Sequence, residues 1–135
     1  MTDISASDIL NISANDILRG DRMEKHIVLT ESMYYILLSV LNPNHGYGII
    51  QKTLEMTEER VEIGAGTLYG AINTLLDKGW IELYSEDKSS RKKKQYVITS
   101  EGRRILEQEI SRLEELLRNG KREMQQQEGG SHAKD

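Results

Sequence analysis

Residues 64–99 read GAGTLYGAINTLLDKGWIELYSEDKSSRKKKQYVIT, and the order of elements within them decides the fold. Leu68, Ile72, Leu75 and Leu76 recur at spacings of three and four, which predicts an amphipathic helix from Thr67 to Lys78. Gly79 follows where a left-handed residue stops a helix. Trp80-Ile81-Glu82-Leu83-Tyr84 and Gln95-Tyr96-Val97-Ile98 then read as two strands, and the polar, basic stretch from Ser85 to Lys94 as the tip of their hairpin.

Upstream, Leu29, Met33, Ile36, Leu37, Val40 and Leu41 mark a helix between Leu29 and Leu41. Thr30 and Glu31 suit its start, and Asn42-Pro43-Asn44 ends it, because proline brings no N–H to the ladder. A second helix from about Gly46 to Met56 sets Tyr47, Ile50 and Leu54 on one face, and Val61 and Ile63 then alternate as a very short strand does. Downstream, Ser100 is placed to cap a long helix reaching about Gln126, followed by the tail GGSHAKD, expected to be disordered. Helix, helix, helix, hairpin, helix is the order of a winged helix-turn-helix: a mainly α fold with a small two-stranded wing and a long C-terminal helix. The expected divisions are an N-terminal extension over 1–22, a winged helix-turn-helix DNA-binding domain over 23–99, a dimerisation helix over 100–127 and a disordered tail over 128–135.

The extension contains a near-duplicate, Ile4-Ser-Ala-Ser-Asp-Ile-Leu10 and Ile12-Ser-Ala-Asn-Asp-Ile-Leu18. Two short copies are too few for a solenoid, and short helices are marginal in water, so a mobile or loosely docked segment is expected. A partner-binding peptide is the sharper alternative. The chain has 135 residues, enough for one core, and no cysteine, which excludes a disulfide-stapled module, a thiolate metal site and a cysteine nucleophile. No apolar run is long enough to span a membrane and the N-terminus carries no signal-peptide pattern, so a cytoplasmic protein is expected. His26, His45 and His132 are scattered without partners at metal-ligand or triad spacing, and His45 suits a turn or cap. Gly64-Ala-Gly66 lacks the rest of a phosphate-binding fingerprint. No enzyme, metal or cofactor is expected.

On a wheel of about 100° per residue, Gly66, Gly70, Asn73, Thr74 and Asp77 fall opposite Leu68. This small, nearly uncharged, hydrogen-bonding face suits a helix lying in a major groove, where glycine permits close approach and Asn addresses adenine or phosphate. An ordinary solvent-facing stripe competes with that reading, although it would carry more Lys and Glu. Lys88, Arg91, Lys92, Lys93 and Lys94 add weight, because they reverse the sign of a chain whose net charge is −4. Basic residues at a hairpin tip beside such a helix are placed to bind the phosphate backbone.

Residues 29–106 resemble the PadR family of bacterial transcription regulators. The resemblance rests on His45-Gly46-Tyr47-Gly48, on Gly66-Thr67-Leu68-Tyr69 with Leu75-Leu76-Asp77-Lys78-Gly79, and on Lys94-Gln95-Tyr96-Val97-Ile98-Thr99-Ser100-Glu101-Gly102, in that order. It implies a winged-helix dimer that represses transcription and is often relieved by a small organic ligand. By position it implies that Thr67 and Tyr69 open the recognition helix at phosphates or groove edges, that Tyr47 lies near the backbone, and that Tyr96 packs. Trp80 stands where an aliphatic residue is more usual for the family, as a core anchor or as the wall of a ligand pocket.

In the last helix Leu106, Ile110, Leu113, Leu117 and Met124 follow a four-three heptad spacing, interrupted at Gly120 and widened by Ile105 and Leu116. Packing against a second subunit buries such a stripe, as does folding back on the chain's own first helix; both can hold. The helix's acidic residues read as a solvated face. The expected protein is therefore a homodimeric, sequence-specific repressor of a palindromic double-stranded DNA operator, with a small hydrophobic or aromatic effector. The competing expectation is a winged-helix protein-interaction module or antagonist that does not bind DNA.

Overall fold

The structure is a computed structural model that describes residues 27–85 and 94–134, with side chains through residue 128. Helix α1 spans Glu31–Ser39, where Thr30 caps it by accepting the Met33 N–H. Ile36 and Leu37, with Val40 at the C-cap, form its buried face. The chain then does more than stop at proline. Asn44–His45 forms strand β1, paired antiparallel with Gln95 and Tyr96 of strand β3 (Gln95–Ile98). Strand β2 (Ile81–Ser85) pairs with the other edge of β3, so the sheet has the order β1-β3-β2, with three strands where the hairpin alone predicts two. A polar two-residue strand has no hydrophobic alternation; it forms because β3 offers unpaired backbone groups. Asn44 stitches the corner, its amide donating to the Ser39 carbonyl and its Oδ1 accepting the His45 N–H.

Helix α2 spans Gly46–Met56 and buries Gly46, Ile49 and Thr53, a 3–4 spacing hidden from an apolar count by its glycine and threonine. Tyr47, placed by sequence on the same face as Ile50 and Leu54, is exposed instead. The stretch after α2 is a turn through the left-handed residues Glu58 and Glu59, and not a short strand, although Ile63 reaches the core. The Thr53 hydroxyl is fully buried and has no hydrogen-bond partner. Thr53→Val removes that unmet polar atom at nearly constant shape and is expected to raise stability by about 1 kcal/mol in urea titration. A loss of stability would mean that the hydroxyl is hydrogen-bonded after all.

Helix α3 spans Ala65–Lys78 and buries Leu68, Ile72 and Leu75; Gly79 closes it at φ 75°, with the Gly79 and Trp80 N–H groups returning to Leu76 and Leu75. Trp80 packs in the core, with the Lys78 ammonium 5.2 Å from its ring centroid.

Helix α4 spans Ser100–Lys134. Its cap is Thr99 and not Ser100: the Thr99 hydroxyl accepts the Gly102 N–H and donates to the Gly79 carbonyl, while its own N–H reaches the Trp80 carbonyl. Gly102 lies so close to the Trp80 carbonyl oxygen that a Cβ there would overlap it. The helix also continues beyond the expected end near Gln126, through the segment expected as a disordered tail. The pair Gly129-Gly130 lowers helix propensity by about 1 kcal/mol per residue but removes no donor, so it weakens the ladder without ending it.

Three positions on α4 depart from the sequence reading. Leu106, assigned to an intersubunit seam, is 3 % exposed and belongs to the chain's own core, and Ile110 is half-buried against that core. Glu109, read as part of a solvated face, is 2 % exposed. Its carboxylate accepts from both Nε and Nη2 of Arg112 and from the Leu29 N–H, fastening the residues before α1 onto α4. The Arg112 hydrogen bonds, reinforced by the Leu29 N–H, hold the Glu109 carboxyl below the usual carboxylate range against the opposing effect of burial. This contribution to stability is complete above the unfolded carboxylate range and is lost as pH falls through the lowered folded value.

Candidate nucleic-acid interface

The interface is built where α2 and α3 begin. His45 caps α2, with its Nδ1 accepting the Gly48 N–H at 3.1 Å, so the neutral imidazole carries its proton on Nε2. Gly48 lies against the Asn44 side chain, and Gly46 lies directly against the Tyr69 hydroxyl. Any side chain at 46 would displace the Tyr69 ring, so Gly46 sets how closely α3 approaches the start of α2, and Gly48 how closely α2 approaches Asn44. Tyr47 and Tyr69 both remain exposed beside this contact.

Along α3, Gly66, Thr67, Gly70 and Asn73 are exposed, and the space around Gly66 and Gly70 is open. A flat surface could thus reach the helix backbone at both glycines. Thr74 sits at the margin of this face, half-buried, with its hydroxyl donating to the Gly70 carbonyl. The exposed face carries no charge until Asp77, at the far end of the helix.

Lys94 is exposed and directly precedes Gln95, which pairs with His45 of β1. The backbone ladder therefore joins the base of the wing to the cap of α2. Across that base the Ser85 hydroxyl donates to Gln95 Oε1 at 3.0 Å. Lys88, Arg91, Lys92 and Lys93 lie outside the described residues, as does the extension over 1–22. The sequence marks the exposed α3 residues as candidates but not the contacts beneath them, Asn44–Gly48 and Gly46–Tyr69. Those contacts link residues whose pairing depends on the folded path; only the glycines themselves hint at them. Leu83 and Tyr84 on β2 are exposed, a feature that their strand-like pattern does not signal.

The remaining stripe on α4 is exposed at Leu113, Leu116, Leu117 and Met124, with Leu117 at 58 % and Met124 at 67 %. Among the described residues no group of acidic side chains and histidines is placed to hold a metal ion. No described helix is long and apolar enough to cross a membrane.

The fold has solved counterparts. A transcriptional regulator from Clostridium thermocellum is 22 % identical, with a TM-score of 0.58 over 76 % of this chain and 97 % of the other. A PadR-like transcription factor from Bacteroides fragilis is 22 % identical, with a TM-score of 0.56 over 78 % of this chain and 97 % of the other. BpsR of Bordetella bronchiseptica, whose DNA binding is described as regulated by 6-hydroxynicotinic acid, is 18 % identical, with a TM-score of 0.55 over 84 % and 82 %. No curated protein matches the chain. The model of the transcriptional regulator PadR-like family matches residues 36–108, from the buried half of α1 to the base of α4. That match spans more than half of the sequence and contains the whole helix pair and wing: the chain belongs to the PadR-like family of transcriptional regulators, which are DNA-binding proteins and not enzymes.

Proposed function

We propose that this regulator is a cytoplasmic homodimer that represses transcription by binding a palindromic operator and releases it on binding a small hydrophobic or aromatic ligand. The observation that carries the reading is the outer face of α3: exposed, uncharged along most of its length, and open to backbone approach at Gly66 and Gly70. In this reading Thr67, Tyr69, Gly70 and Asn73 face the major groove, with Thr74 at the margin. Tyr47 and the basic wing residues Lys88, Arg91, Lys92, Lys93 and Lys94 hold phosphates. The effector class is supported by the similarity in fold to BpsR and its aromatic acid ligand.

Gly70→Leu tests the docking face. The space at Gly70 is open, so the substitution should leave the fold intact while its side chain holds the helix out of the groove. Affinity for an operator selected from random DNA should fall about a hundredfold, the equivalent of removing one or two bidentate base pairings at roughly 1–3 kcal/mol each. Unchanged affinity in fluorescence anisotropy would place the docking face elsewhere.

The wing makes a different prediction. Replacing Lys92, Lys93 and Lys94 by Ala should weaken binding to all sequences alike. The slope of log affinity against log salt should shrink by roughly 0.9 for each phosphate that a subunit no longer neutralises. An unchanged slope would show that these lysines do not meet phosphates.

A further inference from the structure

The two ends of the wing are supported differently. Its inner end rests on the core: Ile81 and Ile98 are buried, and the Ile98 N–H donates to the Val40 carbonyl. Its outer end on β2, Leu83 to Ser85, is exposed. There the pairing with β3 shifts register between Leu83 and Ser85, so that side of the ladder is irregular. At the same level the other edge of β3 is held by β1, with Asn44 opposite Tyr96 and His45 opposite Gln95.

Two residue pairs make a weak ladder, and one side chain braces it. The Asn44 amide donates to the Ser39 carbonyl at the end of α1 at 3.1 Å, and its Oδ1 accepts the His45 N–H at 2.9 Å. The same carboxamide lies against Gly48 in the first turn of α2. His45 then caps α2, and Gly46 lies against the Tyr69 hydroxyl of α3. The path from Gln95 on the wing to Tyr69 on α3 is therefore short. It runs through the His45–Gln95 pairing, one peptide bond, and the Gly46–Tyr69 packing.

We infer that Asn44 is a positioning residue: by fixing β1 between α1 and α2, it makes the outer end of the wing and helix α3 move as one body. Its consequence for DNA rests on the function proposed above. Wing contacts to phosphate and α3 contacts to the groove then reinforce one another, because either one leaves the other already placed.

Asn44→Ala removes the brace outright. Gly48→Ala reaches it from the other side, since a Cβ at 48 would overlap the Asn44 carboxamide and push it off its partners. The chain has no cysteine, so Lys52→Cys on α2 and Tyr84→Cys on β2 give two exposed sites for nitroxides. Dilution with unlabelled chains restricts the measured distance to one subunit. Its distribution should be narrow in the parent and broad in either variant. The two substitutions together should broaden it no further, because the clash at 48 vanishes with the carboxamide. Ile36→Val, a destabilising change in the core of α1, should leave it narrow. A distribution that stays narrow in Asn44→Ala and Gly48→Ala overturns the brace, and one that broadens equally in Ile36→Val reduces it to a general loss of stability.

Operator binding by the unlabelled proteins reads the consequence. Asn44→Ala should weaken it about tenfold. Lys94→Ala should cost a smaller factor in that background than in the parent, whereas strictly multiplicative losses would overturn the link between wing and helix. If Lys94→Ala has no effect in the parent, Lys94 is removed from the proposed phosphate contacts, and the distance distributions alone decide the role of Asn44.

Discussion

Leu117→Glu is expected to turn the protein into a folded monomer that keeps weak, salt-sensitive DNA binding and loses tight binding to a palindrome. Within a single chain Leu117 is 58 % exposed, so a carboxylate there remains hydrated and costs the fold little. In a dimer joined along Leu113, Leu117 and Met124, the same substitution buries an unpaired charge in each subunit. That costs several kcal/mol per charge, enough to separate many small dimers. A separated subunit keeps α3 and the wing, but forfeits the effective concentration that links binding at two half-sites, a factor of roughly 10² to 10⁴. Sedimentation and anisotropy read the two consequences independently. A variant that stays dimeric would move the interface off this stripe, whereas a monomer that still binds a palindrome tightly would break the connection between assembly and recognition. Leu106 is unsuitable for this test, because a charge there would enter the subunit's own core.

Gly102→Ala should be the most destabilising single-methyl change in the described chain. The added carbon would overlap the Trp80 carbonyl oxygen and press on the Ile98 side chain. That carbonyl cannot withdraw freely, because it accepts the Thr99 N–H that positions the start of α4. Relief must come from moving the helix or the chain leading into β2, at a cost of about 3 kcal/mol, the upper range for overpacking. The thermal midpoint should fall by roughly 10 °C. The same change at the exposed Gly120 should be neutral or mildly stabilising, since Ala is the better helix former by about 1 kcal/mol. Equal stability of the parent and Gly102→Ala would show that α4 and Trp80 can move apart without cost.

The contrast between these glycines marks what a sequence can display. Leu68, Ile72 and Leu75 announce their common face by spacing alone, and Gly79 its left-handed stop by position, because both signals are local. Gly46, Gly48 and Gly102 owe their roles to atoms on other elements. Residue type shows that close approach is possible there but not what approaches. Glu109 is hidden for a related reason: beside Arg112 on a charged helix, its type and spacing match a surface ion pair. Only the fold reveals that the Leu29 backbone covers it. The exposed α3 face is legible because its lack of charge, where a soluble helix usually carries it, is a local trace. The wing's positive charge is legible in composition, while its connection to α2 through β1 is not, since Asn44 and His45 bear no strand-like pattern.

The clamp of α4 onto the body by Thr99, Gly102 and Glu109 has a mechanical consequence. Helix α3, strands β2 and β3 and the root of α4 are tied together, and α4 stands clear of the described core, as a shaft, only after Arg112. In a dimer joined along that shaft, the two reading heads keep a fixed phase relative to one another. One base pair inserted between half-sites rotates the second by about 34° and displaces it along the duplex axis. Compensating motion would have to come from bending the shaft or shifting the join, because the heads have little independent play. Discrimination between correctly and incorrectly spaced operators would then reside in the stiffness of a helix that touches no base.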